Sequence, residues 1–192
     1  MITTNQLLLE ELREKTNSNL LRSKAFDSLS DDKLNYKPGT EQWSILECIE
    51  HLNRYGDFYI PEFKKRIASA APSQNGRFKS SWLGEHFAQS VADKPKLNKM
   101  NTFKSMNPIG SDITKEHLKK FQEQQGELLN ILENCEKIDL IKTKSAISIS
   151  NWLKIRIGDA LRVVIYHNER HLSQAERVLA VTQDSASAPA RN

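Results

Sequence analysis

The sequence predicts an all-α four-helix bundle with a long crossover connection between its second and third helices. Glycine and proline are scarce, with 7 and 6 residues in a chain of 192, which disfavours a turn-rich β protein. Apolar residues recur at helical spacing in four separate segments. Hydrophobic residues make up 38% of the chain and charged residues 27%, which is enough apolar material for the core of one domain.

The first two helices are separated by a loop. Leucines recur between charged residues over about residues 4–23, which predicts the first helix. Turn-forming residues dominate the loop at 29–39. Ser44 is then a predicted N-cap, because Glu47 three residues later completes a capping box. The second helix should continue from there to about Ala70, either unbroken or with a break before Pro61.

Helical periodicity fades over residues 71–110, a stretch that contains three prolines. We predict a long connection there, with a short helix near residues 81–89. Connections of this length inside a compact domain are often functional. Periodicity returns with the third helix, for which Ser111 or Asp112 is the predicted N-cap and Cys135 the approximate end.

The last third of the chain is predicted to hold one more helix. Residues 139–150 alternate weakly, so an irregular excursion and a short strand are both compatible with them. The fourth helix should begin near residue 157 or 159 and end near 181. Residues 1–184 are thus predicted to form a single domain, and residues 185–192 a disordered tail.

Charge and cysteine content argue against several classes of protein. The net charge is +4, but the 28 basic and 24 acidic residues are interspersed, which disfavours nucleic-acid binding. Two cysteines, Cys48 and Cys135, are too few for a disulfide framework. The sequence lacks a signal-peptide pattern and an apolar stretch of about 18 residues that could cross a bilayer. We therefore expect a cytoplasmic protein that binds neither nucleic acid nor membrane.

Three histidines form a candidate metal site. His167 and His171 are spaced i, i+4 on the predicted fourth helix, which places both imidazoles on one face and within reach of one ion. A helical wheel puts them beside the apolar stripe, whereas Arg162 and Glu169 fall on the polar side. His51 borders the apolar face of the second helix. Three imidazoles suit zinc or nickel and leave a coordination position open, although buried histidines that only form hydrogen bonds would give the same pattern.

Two segments resemble the DinB-like superfamily, namely WSILECIEHL at residues 43–52 and HNERHL at residues 167–172. In that family a tryptophan opens the second helix, a histidine follows eight positions later, and an HxxxH motif lies on the last bundle helix. The order and spacing of the elements extend the resemblance over the whole chain. It implies a four-helix bundle with a three-histidine metal site at His51, His167 and His171.

The resemblance also implies a class of activity. The family includes bacterial thiol S-transferases and YfiT-type proteins proposed to be metal-dependent hydrolases. It therefore implies an enzyme that acts on a small molecule with a divalent metal, zinc or nickel, and with a low-molecular-weight thiol such as bacillithiol as an optional cosubstrate. Family members are often dimers, so a homodimer is expected.

Glu47 is the candidate catalytic residue, because it lies one turn before His51. Glu50 is the alternative, and Glu47 could instead serve only the capping box. His86 and His117 are predicted surface or loop histidines. A function of another class is also compatible with the sequence, namely a non-catalytic bundle that binds a ligand or partner and has structural histidines.

Overall fold

The structure is a computed structural model that describes residues 1–73, 76–94 and 102–187. Within these ranges it contains six α-helices and four short strands. In chain order they are β1 (Ile2–Thr4), α1 (Asn5–Lys24), α2 (Asp31–Asn35), α3 (Ile45–Ala68), β2 (Arg77–Lys79), α4 (Trp82–Val91), α5 (Lys115–Cys135), β3 (Lys144–Ile147), β4 (Ser150–Arg156) and α6 (Ile157–Ser187).

The four long helices α1, α3, α5 and α6 form the predicted bundle. Because α1 and α3 each pack against both α5 and α6, the helices form a ring in the order α1, α5, α3, α6. The all-α four-helix fold and the long connection between its second and third helices are confirmed. Within this connection, α4 packs along α6 and covers the outside of the bundle.

The core consists of two apolar clusters stacked along the bundle. One cluster combines the first halves of α1 and α6 with the second halves of α3 and α5. The other combines the first halves of α3 and α5 with the later turns of α6, and is closed by α2. The three candidate histidines lie near the boundary between the two clusters. On α6, His167 and His171 lie between Tyr166 of the first cluster and Leu172 of the second, and on α3, His51 lies beside Leu52, the last residue of the second cluster before Tyr59 of the first.

The start of α3 follows the predicted capping box. The Ser44 hydroxyl accepts a hydrogen bond from the Glu47 amide at 3.1 Å, and the Glu47 carboxylate accepts one from the Ser44 amide at 2.9 Å. These bonds satisfy two amides that the helix itself leaves unpaired. The capping box fixes the first turn of the helix that carries His51.

Two predicted helix ends were wrong. The N-cap of α5 is Thr114 and not Ser111 or Asp112, and the Thr114 amide donates a hydrogen bond to the ring of His117 at 3.1 Å. The last helix continues past the predicted end near residue 181 and reaches Ser187. The remainder of the predicted tail, residues 188–192, lies outside the described residues.

Two antiparallel strand pairs accompany the helices. β3 and β4 form a hairpin, so the strand alternative for residues 139–150 is correct. β1 pairs with β2 and joins the start of the chain to the long connection, a contact that the sequence pattern did not reveal. In the described part of the chain, no helix combines the length and apolar character that a membrane span requires.

The helical wheel placed Arg162 on the exposed polar face of the last helix, and this prediction was wrong. The Arg162 side chain is fully buried, because β2 and α4 cover this side of α6. Its guanidinium donates hydrogen bonds to Glu85 at 2.8 Å and to Ser80 at 3.1 Å, and lies 3.7 Å from the carboxylate of Asp159. A buried cation is tolerated there because carboxylates and a hydroxyl surround it.

Candidate metal centre

The fold brings His51 on α3 together with His167 and His171 on α6. One ring nitrogen of each residue lies within 4.8 Å of the corresponding atoms of the other two. The Nε2 atoms of His51 and His167 are 3.3 Å apart. The i, i+4 spacing on α6 could be read from the sequence, whereas the position of α3 opposite this pair is a result of the bundle packing.

Hydrogen bonds donated by Nδ1 orient two of the three rings. The carbonyl oxygen of Met106, next to α3, lies 2.7 Å from Nδ1 of His51, and Oε1 of Gln174 lies 2.9 Å from Nδ1 of His171. A carbonyl oxygen can only accept, so each Nδ1 carries the proton and donates it. The Nε2 atoms of His51 and His171 therefore keep their lone pairs for a ligand.

The imidazoles are neutral at physiological pH. Burial lowers the pKa of His51 to about 4. Burial also lowers the pKa of His167 and of His171 well below the ordinary value, and in each case the charge of a neighbouring histidine adds to the effect. Neutral imidazole is the form that binds metal ions, so no proton has to be displaced near pH 7.

The donor set fits a divalent ion such as zinc. Zinc–nitrogen bonds of about 2.0–2.1 Å in a tetrahedron place two nitrogens about 3.3 Å apart, which matches the separation of Nε2 in His51 and His167. Three histidines without a fourth protein ligand are typical of catalytic zinc sites. The three imidazoles therefore fit a divalent ion, and their role as its ligands stays a prediction.

Aromatic side chains surround the histidines. The indole of Trp43, at the start of α3, lies 4.7 Å from the ring of His51 and 5.6 Å from that of His171, between ring centroids. The ring of Tyr55 lies 4.5 Å from that of His167. Tyr55 follows His51 by four residues and so shares its helix face. These rings keep bulk water from two sides of the histidines.

The three histidines line a cavity of about 750 Å³, within the range usual for small-molecule sites. Its apolar wall includes Trp43 and Tyr55. Its charged residues are Glu41 in the loop before α3 and Arg170 and Arg177 on α6. The lining residues are Pro38, Glu41, Gln42, Trp43, His51, Tyr55, Val91, Thr102, Phe103, Val163, His167, Arg170, His171, Gln174, Arg177, Val178 and Val181.

Glu47 does not line this cavity. One of its oxygens accepts the capping hydrogen bond from Ser44, and the other pairs with Lys37 at 2.9 Å. Glu50 is likewise engaged, with Arg54 at 2.8 Å. Both carboxylates thus have structural partners, and a catalytic role for Glu47 stays a prediction that this geometry does not favour.

The remaining candidates lie outside the centre. Cys48 is fully buried, and burial raises the pKa of its thiol far above the physiological range. His86 stacks on the exposed ring of Trp82 at 5.9 Å between centroids, and His117 caps the start of α5.

Three further cavity residues were not predicted from the sequence, namely Arg170, Gln174 and Arg177. Arg170 lies three residues after His167, Gln174 three after His171, and Arg177 three after Gln174, and this i, i+3 spacing on the HxxxH helix could have identified them. Burial lowers the pKa of the Arg170 guanidinium, Asp93 opposes that shift, and the positive charge of Arg177 adds to it.

The chain is similar to known proteins both in sequence and in fold. The sequence model of the DinB superfamily matches residues 14–175. YuaE of Bacillus subtilis (strain 168), an uncharacterized protein, is 24% identical over 156 residues, which cover 78% of this chain and 85% of YuaE. A solved structure of YfiT from Bacillus subtilis, described as a probable metal-dependent hydrolase with an unusual four-helix bundle topology, superposes with a TM-score of 0.56 at 11% identity. The superposition covers 91% of this chain and 87% of YfiT.

Proposed function

The chain belongs to the DinB superfamily, and we propose that it is a metal-dependent enzyme acting on a small molecule, with His51, His167 and His171 as metal ligands. One observation carries the proposal: nitrogens of three neutral histidines, from two helices, converge on the wall of a 750 Å³ cavity. Zinc or nickel is the expected metal. The homodimer and the cytoplasmic location stay predictions.

The residues around the histidines have different roles in such a site. A divalent ion held there would supply Lewis-acid chemistry and lower the pKa of a water or thiol at its open position. Met106 and Gln174 hold two imidazoles in the ligating tautomer. Trp43 and Tyr55 exclude water from two sides. The cavity then binds the substrate beside the ligands.

Hydrolysis is the first form of this proposal. YfiT, which shares the fold, is described as a probable metal-dependent hydrolase. Among the cavity-lining residues of the described chain, Glu41 is the only carboxylate. A hydrolase needs a group that accepts the proton of the attacking water, so Glu41 replaces Glu47 as the candidate base.

Thiol transfer is the second form, and the cavity itself supports it. A volume of about 750 Å³ can hold a low-molecular-weight thiol together with an electrophilic acceptor. The apolar wall of Trp43, Tyr55 and Phe103 suits the carbon skeleton of such an acceptor. In this form Glu41 has no required role.

Metal content and thermal stability test the metal site. Protein purified without a tag should carry about one divalent ion per chain, and zinc added to metal-free protein should raise its Tm. His51→Ala and His167→Ala should abolish the zinc-induced rise, whereas the control His86→Ala should keep it. Metal-free wild-type protein whose Tm does not respond to zinc or nickel would contradict the proposal.

A substrate panel then separates the two reactions. The zinc-loaded protein is offered activated esters and small electrophiles, each with and without a low-molecular-weight thiol. Turnover without thiol that falls at least tenfold in Glu41→Gln indicates a hydrolase. Turnover only with thiol, retained in Glu41→Gln, indicates a transferase. If His51→Ala and His167→Ala leave ligand binding unchanged, the non-catalytic bundle is the correct alternative.

A further inference from the structure

Two arginines share the cavity wall with the candidate metal ligands. Arg170 and Arg177 both line the cavity, and they are seven residues apart on α6, about two turns or about 10 Å along its axis. Gln174 lies between them on the same face and lines the same cavity. The three residues form a polar row that begins beside His171 and extends to the cavity mouth. We call it the Arg170–Arg177 row.

The row carries a surplus of positive charge. Arg177 is close enough to Arg170 for the two cations to oppose each other, and Asp93 offsets part of this at Arg170. On the cavity wall itself Glu41 is the only carboxylate of the described residues, so the lining has a formal surplus of one positive charge. The neutral histidines add nothing to it, and a bound divalent ion would increase it.

Local contacts keep Arg170 beside the site. Its guanidinium donates a hydrogen bond to the carbonyl oxygen of Ser90 in α4 at 3.2 Å, and the residue is half-buried. Arg177 is exposed at the mouth. Oε1 of Gln174 is held by His171, which leaves its amide N–H groups to donate towards the cavity. One cation held by the protein and one at the entrance are suited to capture an anion from solvent.

We propose that the Arg170–Arg177 row is a subsite for a carboxylate, so that the substrate is a small molecule with its reacting group at the histidines and a carboxylate several ångströms away. Guanidinium groups bind carboxylates through charge-assisted hydrogen bonds. Because Asp93 offsets part of the charge of Arg170, the exposed Arg177 supplies most of the uncompensated positive charge, which suits a single carboxylate. This inference rests on the proposed metal site, because the histidines define the reacting end.

The test compares two thiols that differ only at the far end. 6-Mercaptohexanoate carries a carboxylate and 6-mercaptohexan-1-ol a hydroxyl, and both present the same thiol to the ion. Isothermal titration into the zinc-loaded full chain should show at least tenfold tighter binding of the acid, as expected for a hydrogen bond between charged groups. Arg177→Gln should reduce this preference to threefold or less, and Arg170→Gln/Arg177→Gln should remove it.

Control measurements separate this inference from the metal site. Arg13→Gln removes an arginine that pairs with Glu136 on the bundle surface, and it should keep the full preference for the acid. The zinc-induced rise in Tm is measured for every variant. If zinc has no effect on the wild type, the proposed function fails. If zinc binds but both thiols bind equally or not at all, or if the double variant retains the preference, the carboxylate subsite is wrong.

Discussion

Gln174 offers a sharp test of the candidate metal centre, because it touches one ligand and can be changed without removing any. Its Oε1 accepts the Nδ1 proton of His171 at 2.9 Å. Gln174→Met keeps the length of the side chain but removes the acceptor. The His171 ring is then free to rotate and to adopt the other tautomer. Loss of such an outer contact typically weakens metal binding by about 10–100-fold, or about 1.4–2.7 kcal/mol.

This loss should be visible in both affinity and stability. At a zinc concentration about 1,000 times the wild-type Kd, binding stabilises the fold by about 4 kcal/mol. A 10–100-fold weaker site leaves about 1.4–2.7 kcal/mol. For a domain of this size each kcal/mol corresponds to about 2–4 °C, so the zinc-induced rise in Tm should fall from about 8–16 °C to about 3–11 °C. Competition with a chromophoric chelator gives Kd directly.

Two controls limit the interpretation. Gln122→Met removes a glutamine that hydrogen-bonds Asp27 on the surface, and it should leave zinc affinity unchanged. His171→Ala removes the ligand itself and sets the lower bound of affinity. A role for Gln174 in orienting His171 is refuted if Gln174→Met binds zinc within twofold of the wild type while His171→Ala binds it at least 100-fold more weakly.

Three further predictions concern the framework that carries the site. Arg162→Met should lower the free energy of unfolding by about 3–5 kcal/mol, because the fully buried carboxylate of Asp159 loses its neighbouring cation. Urea denaturation measures this loss. The hydrogen bond from Arg162 lowers the pKa of Glu85 to about 2, so its stabilisation is complete above pH 4.5 and lost as pH falls towards 2. Glu85→Gln should therefore cost about 1 kcal/mol at pH 7, and its Tm should approach that of the wild type only below pH 4.5. Gly158→Ala should lower the free energy of unfolding by about 1–3 kcal/mol, because the added methyl group would clash with the buried ring of Phe78. Its control, Gly126→Ala, has open space around it in α5 and should stabilise the protein by about 0.5–1 kcal/mol. Thermal denaturation measures both effects.

Local signals account for the parts of the fold that the sequence predicted correctly. A capping box involves residues three apart, so Ser44 and Glu47 could be recognised without knowledge of the rest of the chain. The same holds for His167 and His171, whose alignment on one face depends only on helical periodicity. The resemblance at residues 43–52 and 167–172 supplied what periodicity cannot, namely that His51 faces this pair.

Non-local contacts account for most of what the sequence did not predict. The pairing of β1 with β2 joins residues more than seventy positions apart, and no pattern within either strand encodes it. The burial of Arg162 is also non-local, because α4 from the long connection packs along α6, whereas a wheel of α6 alone puts this residue on the polar side. The role of Glu47 was ambiguous for a related reason, because Lys37 approaches it from a separate loop.

The protonation of the histidines favours a metal site over a merely structural cluster. Met106 and Gln174 fix the protons of His51 and His171 on Nδ1, so both Nε2 atoms carry lone pairs. Without an ion, His167 can donate one N–H to Nε2 of His51 at 3.3 Å, which leaves the lone pair of His171 to water from the cavity. A divalent cation would accept all three lone pairs at once. Without an ion, the two free Nε2 lone pairs thus need both His167 and a water molecule as donors, whereas one shared cation would satisfy all three imidazoles.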